Sequence, residues 1–165
     1  MIVRTLTLTA GIAGAAATAQ FPEYSQQYLQ RMAGKEEELT RFVAEFDADA
    51  AEQGMSREQA LIDLAMGGRM AAARADTMVE TIARQRHFEQ VLAELRGASP
   101  FERARYAAAF TDPELARGTL SDFKPALPLT FEGLSFAAIG FALASLIIGL
   151  LAWIVRLPFR RRASA

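Results

Sequence analysis

Near its C-terminal end the chain carries an uncharged run over residues 133–155, which arginines follow closely. At about 1.5 Å of rise per residue, a helix of this length spans the roughly 30 Å hydrocarbon core of a bilayer. Trp153 lies at the arginine end, where an indole favours the headgroup level. A buried helix of a soluble protein is the alternative, but it needs an unusually large core around it. The run predicts a transmembrane helix with its basic end in the cytoplasm. The residues that set this orientation are Arg156, Arg160, Arg161 and Arg162.

The N-terminal segment is also apolar, and it allows two interpretations. Arg4 precedes uncharged residues 5–22, which are long enough for a retained membrane helix, although threonines dilute them. The same stretch has the basic start, apolar middle and small-residue site at 17–19 of a cleaved signal peptide. Both interpretations place Arg4 in the cytoplasm and the chain from Gln20 onward outside it. In a Gram-negative cell, that compartment is the periplasm.

Charge is separated along the chain, although the formal net charge is only −1. Residues 20–130 hold 13 Lys and Arg against 18 Asp and Glu, so the middle is acidic while both tips are basic. This pattern argues against nucleic acid as a partner, because phosphates favour a basic face on the folded part. The absence of cysteine excludes disulfides and thiolate chemistry.

The composition of the middle region predicts an all-α fold, because good helix formers dominate it and strand-like alternation is rare. A first helix is predicted over residues 22–53, with proline in its first turn. The Ser56 and Gln59 capping box starts a long second helix, in which residues 67–68 favour a kink or a close crossing. We expect the two helices to form an antiparallel hairpin about Gly54. The side chains expected to be buried between them are Phe42, Phe46, Leu61 and Leu64.

The rest of the middle region contains a shorter helix and a connector. Ser99, Pro100 and Glu102 form a helix start, and a further short turn follows at residues 112–118. Two prolines exclude regular helix over residues 121–130. The predicted segments are a first membrane helix or signal peptide at 1–21, a helical domain at 22–120, a connector at 121–130, a second membrane helix at 131–157 and a basic tail at 158–165.

No residue pattern indicates catalysis or a cofactor. His87 is the only histidine, and a zinc site would need several more converging ligands. The acidic runs at 36–38 and 45–52 lack the ligand order of a calcium loop and are explained by solvated helix faces. No phosphate loop, nucleophile elbow or dinucleotide glycine pattern is present. We therefore expect a protein that is not an enzyme and needs no cofactor or metal.

Small residues recur at helical spacing in both apolar segments. Such spacing lets two helix backbones approach closely, within one chain or between chains. The candidate packing residues are Gly11, Ala15 and Ala19 in the first segment and Gly140, Ala144, Ser145 and Gly149 in the second.

The order of these features resembles a known family. The N-terminal apolar segment leads into "FPEYSQQYLQRMAG", and "DPELARGTLSDFKPALPLTFEG" precedes the last apolar run. Over essentially the whole chain this is similar to a proteobacterial membrane protein family catalogued as domain of unknown function 2937. The resemblance implies a bacterial inner-membrane protein and favours a retained N-terminal helix. It implies no activity and no catalytic residues.

The two resembling stretches should meet at the outer membrane surface, since each adjoins a crossing. We expect them to form a membrane-proximal collar that fixes the angle of the hairpin or contacts a partner. The expected function is protein–protein interaction, with other membrane or periplasmic proteins or with itself; a singly anchored periplasmic tether and a subunit of a composite enzyme are the alternatives. The collar comprises Gln26, Gln27, Tyr28, Arg31, Asp122, Phe123, Pro125 and Pro128.

Overall fold

The computed structural model describes residues 1–160, and these residues form helices and connecting turns without strands. The predicted all-α class is therefore confirmed. Two helical runs are long and apolar enough to cross a membrane: the N-terminal part of Ile2–Glu52, and Phe131–Val155. The α-helices are α1 (Ile2–Thr18), α2 (Phe21–Glu52), α3 (Arg57–Met66), α4 (Arg69–Leu95), α5 (Pro100–Arg105), α6 (Pro113–Ser121) and α7 (Phe131–Arg160), with a 3₁₀ turn at Ala107–Phe110.

Helices α1 and α2 follow one nearly continuous path, while α1 packs along α7. Ala19 and Gln20 separate α1 from α2, yet both keep right-handed helical backbone angles. Pro22 explains the interruption, because it has no N–H to donate to the carbonyl of Thr18 and its ring crowds that group. The apolar segment thus leads almost directly into the long helix of the middle region.

Helices α2 and α4 run antiparallel over the length of the middle region, as the predicted hairpin requires. The predicted second helix is broken in two, since Gly68 has a φ of +95° and ends helical geometry there. Gly54, with a φ of +71°, turns the chain from α2 into α3. Helix α3 then packs across the part of α2 and α4 that lies farthest from α1 and α7.

We call the region formed by α2, α3 and α4 the arm. The part of the arm far from α1 and α7 has a small core formed by Val43, Met78 and Ile82, with Phe46 and Leu61 packed against it. The prediction that Phe42 is buried is wrong, because 41% of its surface is exposed and Val43 takes the inward position. Phe46 and Leu61 pack against this core as predicted, so only Phe42 was assigned to the wrong side of α2. A 100° rotation per residue is enough to turn a side chain from the core to the rim.

A larger core lies next to α1 and α7, where α2 and α4 meet α5, the 3₁₀ turn and α6. The second capping box, at Ser99 and Glu102, is present, and Asp112 caps α6 by accepting from the backbone N–H groups of Glu114 and Leu115. Burial in this core is nearly complete. Its members are Tyr28, Leu29, Met32, Phe88, Leu92, Leu95, Phe110 and Leu115.

The connector is irregular over residues 122–130, one residue shorter than predicted because α6 includes Ser121. Thr130 starts α7, since its Oγ1 accepts the N–H of Gly133 at 3.1 Å. Helix α7 extends beyond the predicted 157 to Arg160. Arg4 is exposed in α1, and Arg156 lies in α7. Of the other predicted tail arginines, Arg160 ends α7, whereas Arg161 and Arg162 lie outside the described residues.

Candidate functional site

The crossing of α1 and α7 is built on two glycines that bring the helix backbones together. A Cβ atom on Gly14 would lie 2.6 Å from both the carbonyl oxygen of Gly140 and the Cβ of Ala144. A Cβ atom on Gly140 would lie 2.5 Å from the carbonyl oxygen of Gly14 and still closer to Thr18 Oγ1. Contacts this short do not occur, so the crossing requires glycine at both positions.

Two hydroxyl groups tie the same helices together. Thr18 Oγ1 donates to the carbonyl of Phe136 at 2.7 Å, or to its own helix at Gly14 O at 2.9 Å. Ser145 Oγ donates more weakly to the carbonyl of Thr7 at 3.5 Å. Bonds of this kind contribute roughly 0.6 kcal/mol each between membrane helices, so they mainly fix the register of a crossing that packing stabilises.

The predicted packing residues fall into two groups. Gly11, Gly140, Ala144 and Ser145 lie at the crossing, Ala19 is buried beside it, and Ala15 is half-buried. Gly149 has open space where a side chain would stand, so it is not part of this crossing. Gly14 and Thr18 were not predicted as packing residues, although they are spaced four residues apart, as the predicted Gly11, Ala15 and Ala19 are.

The connector and the first turns of α2 are joined by polar groups from both. Arg31 and Asp122 form an ion pair at 2.5 Å, and Gln27 Nε2 donates to the carbonyl of Lys124 at 3.2 Å. The ring of Phe123 packs edge-on against Tyr24, with the ring centroids 6.2 Å apart. The two sequence stretches therefore meet, as expected, but they bond to each other.

Gln20 adds a contact that the sequence did not indicate. Its side-chain amide donates to the carbonyl of Ala126 at 3.3 Å and accepts the N–H of Ala126 at 3.2 Å. Pro128 packs over Gly133 at the start of α7, where a Cβ atom would lie 2.8 Å from the proline. Pro125 is exposed. The irregular connector is thereby held at both ends of its proline-containing stretch.

Tyr28 and Gln26 do not contact the connector, although both were assigned to the collar. The Tyr28 side chain is fully buried, and its hydroxyl accepts the N–H of Asp112 at 3.1 Å. Burial raises the pKa of the Tyr28 phenol to about 12. Gln26 is exposed, and its Oε1 accepts from Arg103 of α5 at 2.9 Å.

Asp112 joins α6 to α4 as well as capping α6. Arg84 donates to Asp112 Oδ2 at 3.1 Å and to Glu114 Oε2 at 2.7 Å, and its guanidinium stands 5.1 Å from the centroid of Phe88. Burial alone would lower the pKa of Arg84, but the hydrogen bonds and negative charges of Glu114 and Asp112 outweigh it and raise that pKa. This cluster fixes the end of the arm that lies nearest α1 and α7.

Chemistry-bearing side chains do not converge elsewhere in the described part of the chain. His87 is exposed on α4, with its ring 6.0 Å from that of Phe88. Within residues 1–160 no group of three His, Asp or Glu side chains could hold a metal ion. That the protein is not an enzyme stays a prediction.

The far end of the arm exposes large apolar side chains, which the sequence analysis did not single out. Met66 ends α3 and Met70 lies in the first turn of α4; each has 75% of its surface exposed. Ile62 on α3 is 59% exposed. We call Ile62, Met66 and Met70 the distal patch. Unlike the collar residues, these side chains are not engaged within the chain.

These observations define an all-α protein in which two candidate membrane-spanning helices flank a helical middle region. A family model described as a protein of unknown function, DUF2937, matches residues 2–161, and the chain belongs to this family. The family predicted from the sequence is thereby confirmed. Comparison with curated proteins and with solved structures gives no match.

Proposed function

We propose that this protein is a non-enzymatic accessory subunit of the bacterial inner membrane that holds a protein-binding surface away from the bilayer. In this proposal α1 and α7 cross the membrane, both termini are cytoplasmic and the middle region is periplasmic. The observation that carries it is the contrast between the two ends of the arm. Polar groups at the membrane end bond to each other, whereas apolar groups at the far end are exposed.

The helices give the arm its reach. Helix α2 has 32 residues, so it extends about 48 Å from the end of α1. Leu92 packs in the membrane-proximal core, and Met70 lies about 33 Å from it along α4. The collar and the Asp112 cluster fix the base of this arm relative to α7. A fixed base and a distant apolar patch suit a subunit that positions another protein.

The charges around the distal patch are of both signs. Exposed carboxylates near the far end of the arm include Glu45, Asp49 and Asp63, and the cations Arg69 and Arg74 are exposed next to Met70. Arg74 lines the same cleft as Glu45 and Asp49. The proposed partner therefore has an apolar contact face with a polar rim.

The crossing also supports a retained N-terminal helix. Cleavage after Ala19 would remove Gly14 and Thr18, and it would leave the small-residue face around Gly140 without its partner helix. The proposal therefore includes an uncleaved chain, which the intact mass of the purified protein tests directly.

The test is affinity capture of the full-length protein from native membranes in a mild detergent, with captured proteins sized and quantified by mass spectrometry. The doubly substituted variant Met66→Glu, Met70→Glu removes the distal patch. Val79→Glu is the matched control. Val79 is 52% exposed and lies on α4, as Met70 does, but it is more than two turns away from Met70.

We expect one stoichiometric protein to accompany the wild-type chain and the Val79→Glu control, and to be lost from the double variant. A chain that purifies alone, or a partner retained equally by all three, would contradict the proposal. A complex that contains only this chain would replace it with a homo-oligomeric scaffold.

A further inference from the structure

Arg103 of α5 is a buried cation that has no ionic partner. Only 8% of its surface is exposed, and none of the described carboxylates forms an ion pair with it. One nitrogen donates to the neutral Gln26 amide at 2.9 Å, while Nε is buried without any acceptor. A buried charge without a counterion is costly, so this arrangement favours an anion from outside the chain.

The end of the Arg103 side chain lies close to the protein surface, because its partner Gln26 is an exposed residue. Arginine presents several N–H donors in a plane, and this geometry suits the oxygens of a phosphate.

Arg103 also lies at the level expected for lipid headgroups. The rings of Phe21 and Phe136 meet with centroids 5.3 Å apart. From this contact Gln26 is five residues along α2 and Phe131 is five residues back along α7, so both stand about 8 Å farther from the membrane core. The uncharged run of α7 ends there, at Glu132.

Aromatic residues on the same short segment support this level. Phe101 stacks on Phe136 with a centroid distance of 5.2 Å and an interplanar angle of 12°, so α5 rests directly on the first turns of α7. Phe101 and Tyr106 are 36% and 50% exposed. Exposed aromatic rings are typical of the membrane–water interface.

We propose that Arg103, together with Gln26, binds the phosphate group of a phospholipid in the outer leaflet of the inner membrane. The inference rests on the membrane placement proposed above. The lipid phosphate supplies the counterion that Arg103 lacks, and it anchors α5 against the bilayer. The arm is then held by a lipid as well as by the collar.

The experiment measures binding of phosphatidylglycerol to the delipidated full-length protein in mild detergent by native mass spectrometry. Arg103→Gln removes the charge. Gln26→Glu keeps Arg103 but places a carboxylate beside it, and this internal partner should compete with the phosphate. Arg105→Gln is the matched control, because Arg105 is an exposed cation on the same helix.

We expect both Arg103→Gln and Gln26→Glu to weaken phosphatidylglycerol binding by about tenfold or more, the effect of losing a charge-assisted hydrogen bond. Arg105→Gln should stay within about twofold of wild type, as for an exposed charge. Gln26→Glu should keep or raise thermal stability, so its loss of lipid cannot be ascribed to unfolding. Equal binding by wild type, Arg103→Gln and Gln26→Glu would overturn the inference.

Two further measurements are needed. One distinguishes a lipid phosphate from a soluble phosphate, and the other tests the membrane placement separately from the lipid site. Excess inorganic phosphate should leave lipid binding unchanged; displacement of the lipid would assign the site to a soluble phosphate instead. Wild-type protein recovered in the soluble fraction of cells would overturn the membrane placement itself. Membrane-bound protein whose variants all bind lipid equally would overturn only the lipid site.

Discussion

The crossing of α1 and α7 makes a quantitative prediction for Gly140→Ala. The added Cβ would lie 2.5 Å from the carbonyl oxygen of Gly14, whereas an ordinary contact is 3.4 Å or longer, so the helices must separate by about 1 Å. The 2.7 Å hydrogen bond from Thr18 to Phe136 would then lengthen beyond useful range. Overpacking costs about 1–3 kcal/mol and the lost bond adds roughly 0.6 kcal/mol.

Gly149→Ala is the matched control, because its Cβ meets nothing within 4 Å in the same helix. Any change in helix propensity is common to both variants and cancels in their comparison. The free energy of unfolding should therefore be about 2–4 kcal/mol lower for Gly140→Ala than for Gly149→Ala. The assay is reversible unfolding in mixed micelles with increasing SDS, followed by circular dichroism. Equal stability of the two variants would refute this account of the crossing.

Three further predictions concern the arm. Folding holds the Tyr28 phenol neutral, so its contribution to stability is complete below pH 10.0 and is lost as the pH rises towards about 12; Tyr28→Phe should remove this part of the pH dependence in urea unfolding. Asp122→Ala should lower the free energy of unfolding by less than about 1 kcal/mol, since the side chains of Arg31 and Asp122 are 39% and 70% exposed; a loss above about 2 kcal/mol would show that the pair does more than an exposed ion pair can. Gly68→Ala should lower the free energy of unfolding by about 1 kcal/mol or more, because Gly68 has a positive φ. Gly34→Ala, in the middle of α2 where a Cβ meets nothing within 4 Å, should raise it by up to about 1 kcal/mol. Thermal unfolding measures both effects.

Local signals in the sequence predicted the helix boundaries well. The capping boxes at Ser56 and Ser99 and the cap at Thr130 depend on hydrogen bonds within four residues, so their chemistry is visible in a short stretch. The break at Gly67–Gly68 was foreseen only as a kink. Whether the helix bends or ends there depends on the φ of Gly68, which the sequence does not specify.

Contacts between distant segments could be predicted only in outline. Because each stretch adjoins an apolar segment, α2 and the connector could be predicted to meet, but the pairing of Arg31 with Asp122 could not. The register of α1 against α7 selects Gly14 over Ala15, and the rotation of α2 selects Val43 over Phe42. Such choices depend on tertiary packing, which periodicity along one helix does not specify.

The hydrogen bonds and the ion pair within the collar could not be predicted from the sequence either. Polar residues beside a membrane helix are equally compatible with binding a partner and with bonding to the rest of the chain. In the structure Gln27 and Arg31 bond to the connector, and Gln26 bonds to Arg103. The exposed methionines at the far end have no distinguishing pattern, because a single Met66 or Met70 is equally consistent with a core position.

The central claim, that the arm lies outside the cytoplasm between two crossings, is tested most directly by labelling single cysteines. The chain has no cysteine of its own, so Val79→Cys and Ile2→Cys each introduce one reporter, at positions 52% and 77% exposed. Val79 lies on the arm but outside the distal patch, so the proposed partner does not cover it. Spheroplasts are treated with a membrane-impermeant maleimide before and after lysis. We expect Val79→Cys to react in intact spheroplasts and Ile2→Cys only after lysis. Reaction of Val79→Cys only after lysis would contradict this topology.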